Sequence, residues 1–221
     1  VGERGPLYYL IAHTDSHPAS PGANDNASCV AVAVETLRRM KANLPEAVRI
    51  RFLFPALEEW GLRGTRHHLA GRPQADVRGA ASFDACGIGD AYAVWDMRPE
   101  NRDSDIARAL LAAGQRLGIY VGTHGPIKRY TSDHAVFQAA GIPALGVTIV
   151  PREDEEILRE YVGSPNSLKW AFRSARPRIF QTYHTAEDAP QTLEPSALDM
   201  AIRVMTASIE ELDALARGKG E

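Results

Sequence analysis

Residues 12–28 read AHTDSHPASPGANDNAS: two histidines, two aspartates and two asparagines crowd one loop that holds almost nothing able to pack a core. Imidazole and carboxylate together suit a borderline divalent cation, above all zinc in an open, catalytic site. Further acids stand at Glu58, Glu59 and Asp84, whereas the two cysteines, Cys29 and Cys86, are too few for a thiolate site at finger spacing or a disulfide-built scaffold. Bare carboxylates crowded together would repel and take up protons. A pair of divalent ions removes that difficulty, because three carboxylates, two such ions and one hydroxide sum to zero charge. Ions about 3.5–4 Å apart repel by roughly 20 kcal/mol at an effective dielectric of about 20. A carboxylate and a hydroxide shared between them are therefore required parts of such a site.

These groups can act together only if the fold gathers them. Short apolar runs alternate with amphipathic stretches, the pattern of strands interleaved with helices. LYYLIAH (7–13), VRIRFLF (48–54), AASFDAC (80–86), AYAVW (91–95) and IPALGVTIV (142–150) read as strands, with Val48, Ile50, Phe52 and Phe54 on one face of the second. After Asn26, a residue suited to capping, Val30, Val34, Leu37 and Met40 recur at helical spacing, and Asn43-Leu44-Pro45 ends that helix. Ile106, Leu110, Ala113 and Leu117 mark another, and Pro195-Ser196 opens a long last helix with Leu198, Ile202, Met205, Ile209 and Leu212 as its stripe. Residues 152–178 read as a charged helix followed by an irregular excursion that shapes a pocket wall. His13 then ends the first strand, Asp25 precedes the first helix, Glu58 and Glu59 follow the second strand, and Asp84 sits late in the third. In open α/β sheets the ligand crevice lies beyond the carboxyl ends of the strands, so these groups converge on one cleft.

Composition narrows the class. At 221 residues and 44% hydrophobic, the chain can bury a real core and is expected to form one domain over 1–221. Lys+Arg 25 against Asp+Glu 28 leaves −3 with no basic stripe, which argues against a nucleic-acid partner. No apolar run approaches the roughly 18–20 residues that span a bilayer, so no membrane partner is expected. The opening VGERGPLYYLIAH lacks a Met start and the apolar core of a signal peptide, and begins one strand before the first candidate ligand. Trimmed upstream residues would explain that start. Compartment and oligomeric state are not legible.

Six ordered blocks, AHTDS, PGANDNAS, ALEEWGLRGTR, RGAASFDACGIG, TSDHAVFQAAGIPAL and YHTAED, resemble the dizinc aminopeptidase family. That family also holds glutaminyl cyclases and the glutamate carboxypeptidase and transferrin-receptor ectodomains. The resemblance implies an α/β fold with a mixed, mostly parallel β-sheet flanked by helices on both faces, a zinc-exopeptidase-like three-layer sandwich. It also implies hydrolysis of N-terminal peptide bonds in a peptide or small aminoacyl substrate, using two Zn²⁺ or other divalent ions. By position, one ion takes His13 and Asp84, the other takes Glu59 and His184, Asp25 bridges them, and Glu58 is the general base. Residues alone do not choose between Glu58 and Glu59. A non-proline cis peptide at Asp25–Asn26 is implied as well. Asp15 is placed to accept the second ring N–H of His13, and Asp188 to do the same for His184.

Other groups invite blander readings. His17, His67, His68 and His124 are expected to be solvated or structural. Ser132-Asp133-His134 has the letters of a nucleophilic triad, but contiguous residues at a helix start cannot converge, so Asp133 and His134 are expected to support a pocket floor. Cys29, where the family usually has glycine, and Cys86 are expected to be small buried thiols. A glutaminyl cyclase would bind one ion and cyclise instead of hydrolysing. A carboxypeptidase would need a cationic clamp, for which Arg129, Arg173, Arg176 and Arg178 are available. A non-catalytic receptor-like module would be expected to lose ligands, and none is missing.

Overall fold

The computed structural model describes residues 1–126, 131–164 and 166–218. Six strands form one sheet in the order β2-β1-β3-β6-β4-β5. β1 (Leu7–Ile11), β2 (Arg49–Leu53), β3 (Val77–Phe83) and β6 (Ala144–Val150) run parallel, while β4 (Ala91–Trp95) is antiparallel to β6 and carries β5 (Val121–Thr123) parallel to itself. The sheet is therefore mixed and mostly parallel, as expected.

Its central strands are buried on both faces, which is why they read as continuous apolar runs. In β1, Tyr8 and Leu10 pack toward α1 (Cys29–Met40), α4 (Asp105–Leu117) and α8 (Pro195–Gly218). Leu7, Tyr9 and Ile11 face the other way, toward Leu69 of α2 (Arg63–Ala70) and Phe137 of α5 (His134–Ala139). α3 (Pro99–Arg102) is a single turn leading into α4. A third apolar cluster joins Ala91, Ala93 and Trp95 of β4 to α6 (Glu155–Gly163), Trp170 and α7 (Ile179–Thr182). The expected excursion is present: between α6 and α7 the described backbone makes only 3₁₀ turns, at Leu168–Ala171 and Arg173–Ala175.

Three local expectations fail, each for a physical reason. α1 buries Cys29, Val32, Ala33, Thr36 and Met40, while Val34 is 54% exposed. The run CVAVAV offers apolar residues on more than one face, and the face carrying small side chains is the one pressed inward. Phe54 leaves β2, which ends at Leu53, and does not join Val48 and Ile50 in the core. β3 ends at Phe83, because Ala85 turns into the left-handed region at φ 56. β5 and α2 had no legible signal. The first is three residues long, and the second buries only Thr65 and Leu69.

Candidate metal centre

Asp25 stands in the middle of the site. One of its carboxylate oxygens lies 3.2 Å from His13 Nε2 and the other 3.3 Å from His184 Nε2. Asp84 Oδ1 is 3.8 Å from His13 Nε2, and Glu59 Oε2 is 2.9 Å from His184 Nε2. Two groups of three result, His13–Asp25–Asp84 and Asp25–Glu59–His184, each offering ligand atoms within 4.8 Å of one another, with Asp25 common to both.

The neighbouring sequence explains this placement. β1 delivers His13 two residues past its end, and β3 delivers Asp84 one residue past its own. Between β1 and α1 the ANDNAS turn departs from helical geometry at Asp25 (φ −110, ψ 87) and Asn26 (φ −137, ψ 26), and the Asp25–Asn26 peptide is cis. Asn26 does not cap α1. Its side chain donates to the Phe83 carbonyl at 2.9 Å and accepts from Ala85 N–H at 3.3 Å. Asn24 Oδ1 accepts from Gly87 N–H at 2.7 Å, and Ser28 Oγ from Cys86 N–H at 3.1 Å. A Cβ at Gly87 would stand 2.9 Å from Asn24 Oδ1 and 2.5 Å from the Leu193 side chain, so a larger residue would have to push both side chains aside. The loop is thus stitched to the segment that follows β3, and Asp25 is held beside Asp84.

Asp15 and Asp188 hold backbone, which differs from what their sequence positions suggested. The Asp15 carboxylate accepts from the N–H groups of Glu58 and Glu59 at 3.1 and 3.3 Å, and it is the Asp15 carbonyl that lies 3.0 Å from His13 Nδ1. Its carboxylate is farther from that nitrogen, at 3.6 Å. Asp188, 1% exposed, accepts from Asn24 N–H at 2.7 Å and Asp25 N–H at 3.1 Å, which spends its oxygens on the ANDNAS turn and not on His184. Leu57 (φ 60), Ala85 (φ 56) and His184 (φ 58) all sit in the left-handed region. Such backbone persists where surroundings enforce it, and here each residue adjoins or belongs to the cluster.

Electrostatics reflect a surplus of buried acid. Burial alone would lower the His13 pKa, but the Asp25 and Asp84 carboxylates push it up to about 12. Asp25 and Glu59 likewise push His184 up to about 9 against burial. Burial raises Asp84, yet His13 holds it below the usual carboxylate value. Glu58 is pushed up to about 9 by burial first, then by Asp84, with His13 opposing and Asp133 and Asp25 adding to the rise. Asp133 rises to about 6, chiefly by burial. In this state protons on imidazole supply the positive charge that the acids demand.

A cation fits better than a proton. Glu59 Oε1 and His184 Nε2 are buried without a hydrogen-bond partner among the described residues, although His184 Nε2 lies within ion-pair distance of two carboxylates. Atoms that converge without aligning on each other suit a shared third centre. The donor set of two imidazoles and three carboxylates matches zinc.

Sequence did not foresee the work of some residues. Asn24 and Ser28 were not singled out, and Asn26, expected to cap the first helix, instead ties the turn to the segment after β3. The crowding of all three in one loop was the available signal. His17 stacks on His184 at 4.4 Å, and Tyr183 stacks on it at 3.7 Å. Cys29 and Cys86 are free and fully buried. Of the arginines considered as a clamp, Arg173 pairs with Glu187 at 3.2 Å, Arg176 Nε donates to the Trp170 carbonyl at 2.8 Å, and Arg178 pairs with Glu194. Arg129 lies outside the described residues. No described helix is long and apolar enough to cross a membrane.

Known proteins resemble this chain in sequence and in fold. Aminopeptidase YwaD of Bacillus subtilis is 27% identical over 213 residues, covering 93% of this chain and 41% of the relative. The solved structure of BSAP, a zinc aminopeptidase from Bacillus subtilis, superposes with a TM-score of 0.73 at 25% identity, covering 94% of this chain and 46% of that one. A glutaminyl cyclase from an Acidobacteriales bacterium has the same fold, with a TM-score of 0.69 at 21% identity over 99% of this chain and 71% of that one. The chain therefore spans less than half the length of these two aminopeptidases. Residues 2–209 match the sequence profile of peptidase family M28, nearly the whole described length. On that match, with two acid–imidazole triplets joined through Asp25, the chain belongs to peptidase family M28.

Proposed function

We propose that residues 1–221 form the catalytic domain of a zinc-dependent exopeptidase that removes N-terminal residues from peptides. The observation that carries this reading is the sharing of Asp25 between two triplets, one oxygen toward each histidine. His13 and Asp84 would hold one zinc ion, Glu59 and His184 a second, and Asp25 both. When bound, such a pair supplies a Lewis acid for the scissile carbonyl and acidifies a shared water.

The chain's own groups do the rest. Glu58 is the proton carrier: it takes a proton from water as the nucleophile forms and passes it to the departing amine. Its buried surroundings hold that proton readily, and cationic charge beside it brings its pKa down toward the working range. Asp15 grips the N–H groups of both glutamates, which lets Glu59 turn to His184 while Glu58 stays clear. The likeness to zinc aminopeptidases supports action at a free amino terminus. Arg173, Arg176 and Arg178 are spent on partners within the chain, which counts against a clamp for a C-terminal carboxylate.

The test is zinc-loaded protein offered matched peptides with free and acetylated N-termini, with zinc content measured on the same sample. Release of the first residue from free peptides only, at two zinc ions per chain, is expected. Equal cleavage of acetylated peptides, or one zinc ion with cyclisation of N-terminal glutamine, overturns it.

A further inference from the structure

The histidines of the two triplets are held in different ways. His13 is steadied through Nδ1, which lies 3.0 Å from the Asp15 carbonyl. A metal-bound imidazole commonly uses its second nitrogen in this manner, and the bond fixes the plane of the ring. His184 has no such anchor. No described residue hydrogen-bonds to its Nδ1, and Asp188, the acid expected there, holds the ANDNAS turn. The His184 side chain is 28% exposed and its backbone is left-handed at φ 58. Some other contact has to orient it.

Flat contacts are what it has. The His17 ring lies 4.4 Å from the His184 ring with 12° between their planes, and the Tyr183 ring lies 3.7 Å away at 20°. Parallel packing of this kind is favourable between aromatic rings. Two rings so close and so nearly parallel to a third would overlap each other on one face, so they cover opposite faces of His184. On the Tyr183 side, Phe180 meets Tyr183 edge-on at 5.7 Å and stacks on Tyr161 of α6 at 4.8 Å. That face therefore rests on the third apolar cluster. On the other side the contact is a single loop residue, but the loop is stiff. His17-Pro18-Ala19-Ser20 is a turn closed by Ser20 N–H donating to the His17 carbonyl at 2.8 Å, with proline where its fixed φ suits the turn. His17 Nδ1 accepts from Ala19 N–H at 3.2 Å, which fixes the ring against its own backbone. Ser20 Oγ donates to Asp188 at 3.4 Å, so the turn hangs on the carboxylate that also holds the ANDNAS segment.

We propose that His17 is a positioning residue for the Asp25–Glu59–His184 triplet: its ring closes the open face of His184 and keeps Nε2 turned toward Asp25 and Glu59. The stack stands in for the missing hydrogen bond at Nδ1. In this role His17 is no ligand and acts through His184 alone. The inference rests on reading the two triplets as the holders of a zinc pair.

Two substitutions separate the ring from the turn. His17→Phe keeps a flat ring and loses the acceptor for Ala19 N–H. His17→Asn keeps a side-chain acceptor for that N–H and loses the ring. Zinc-loaded protein is titrated with a chromophoric chelator, which resolves a dissociation constant for each ion, and the visible spectrum of cobalt-loaded protein reports ligand geometry. In His17→Asn one zinc constant is expected to rise about tenfold, with the other unchanged and the cobalt bands altered. His17→Phe is expected to keep both constants and the bands of the unaltered protein. The reverse pattern, a similar loss in both variants, a change in both constants, or no change at all overturns the positioning role. A chain that binds no second ion overturns it together with the zinc-pair reading. Aminoacyl-anilide turnover is followed alongside. Its absence in a chain that shows the expected zinc pattern counts against the peptidase reading and leaves the assignment of His17 standing.

Discussion

Glu58 and Glu59 follow the same strand one residue apart, yet their surroundings give them different work. Glu59 lies 2.9 Å from His184, whereas Glu58 sits among Asp84, Asp133 and Asp25, which with burial push it up to about 9. Glu58→Gln is expected to keep both zinc ions and lose about 10²–10⁴-fold in kcat, read as aminoacyl-anilide turnover beside elemental analysis. Asp25→Asn is expected to lose zinc and turnover together, because both triplets share that carboxylate. The histidines add a pH dependence whose sign follows from their shifts. His13 is raised to about 12 and His184 to about 9, so without metal both carry protons at pH 7.5. Zinc must displace those protons. Apparent zinc affinity is therefore expected to rise with pH from 6 to 9, and calorimetry in two buffers of different ionisation enthalpy should record proton release. A pH-independent affinity would contradict the assigned ligands.

At the scale of elements, the ANDNAS turn and the segment after β3 form one unit, tied by Asn24, Asn26 and Ser28 and anchored by Asp188. Asp188→Ala removes an acceptor from two buried N–H groups. It is expected to cost about 1–3 kcal/mol of stability and about 10–100-fold in zinc affinity, measured by denaturant unfolding and metal titration. Met205→Ala in α8 is the contrasting case. Its side chain is fully buried in the cluster shared with α1 and α4, away from the ligands. It is expected to cost about 2–5 kcal/mol and leave zinc stoichiometry unchanged. The stripe that includes Met205 was legible because helix spacing repeats over a long segment. The buried face of α1 was not, since an apolar run with several usable faces is resolved only by what lies against it.

For the molecule as a whole, the proposed ligands come from positions 13, 25, 59, 84 and 184. A cation pair held by them would bind the folded chain and not the unfolded one. Zinc at about a hundred times its dissociation constant is expected to add about 2.7 kcal/mol per ion, about 5 kcal/mol for the pair or roughly 10–20 °C in Tm, and chelation to reverse it. A Tm indifferent to zinc and chelator would mean that the triplets do not close on metal.

Which acids and imidazoles are present, and which strand or turn each one follows, could be derived from the chain alone, because side-chain chemistry and apolar periodicity are local properties. The alternation of strands and helices, and the convergence of His13, Asp25, Glu58, Glu59 and Asp84 at the strand ends, followed from that periodicity. The mixed sheet and the place of His184 came only with the family resemblance. What Asp15, Asp188, Asn24 and His17 touch could not be derived in this way. Each meets atoms supplied by another part of the fold or by a neighbour's backbone, and its partner is chosen by loop path and packing. Contacts of that kind have no sequence period, so they exist only once the sheet has brought its edges together.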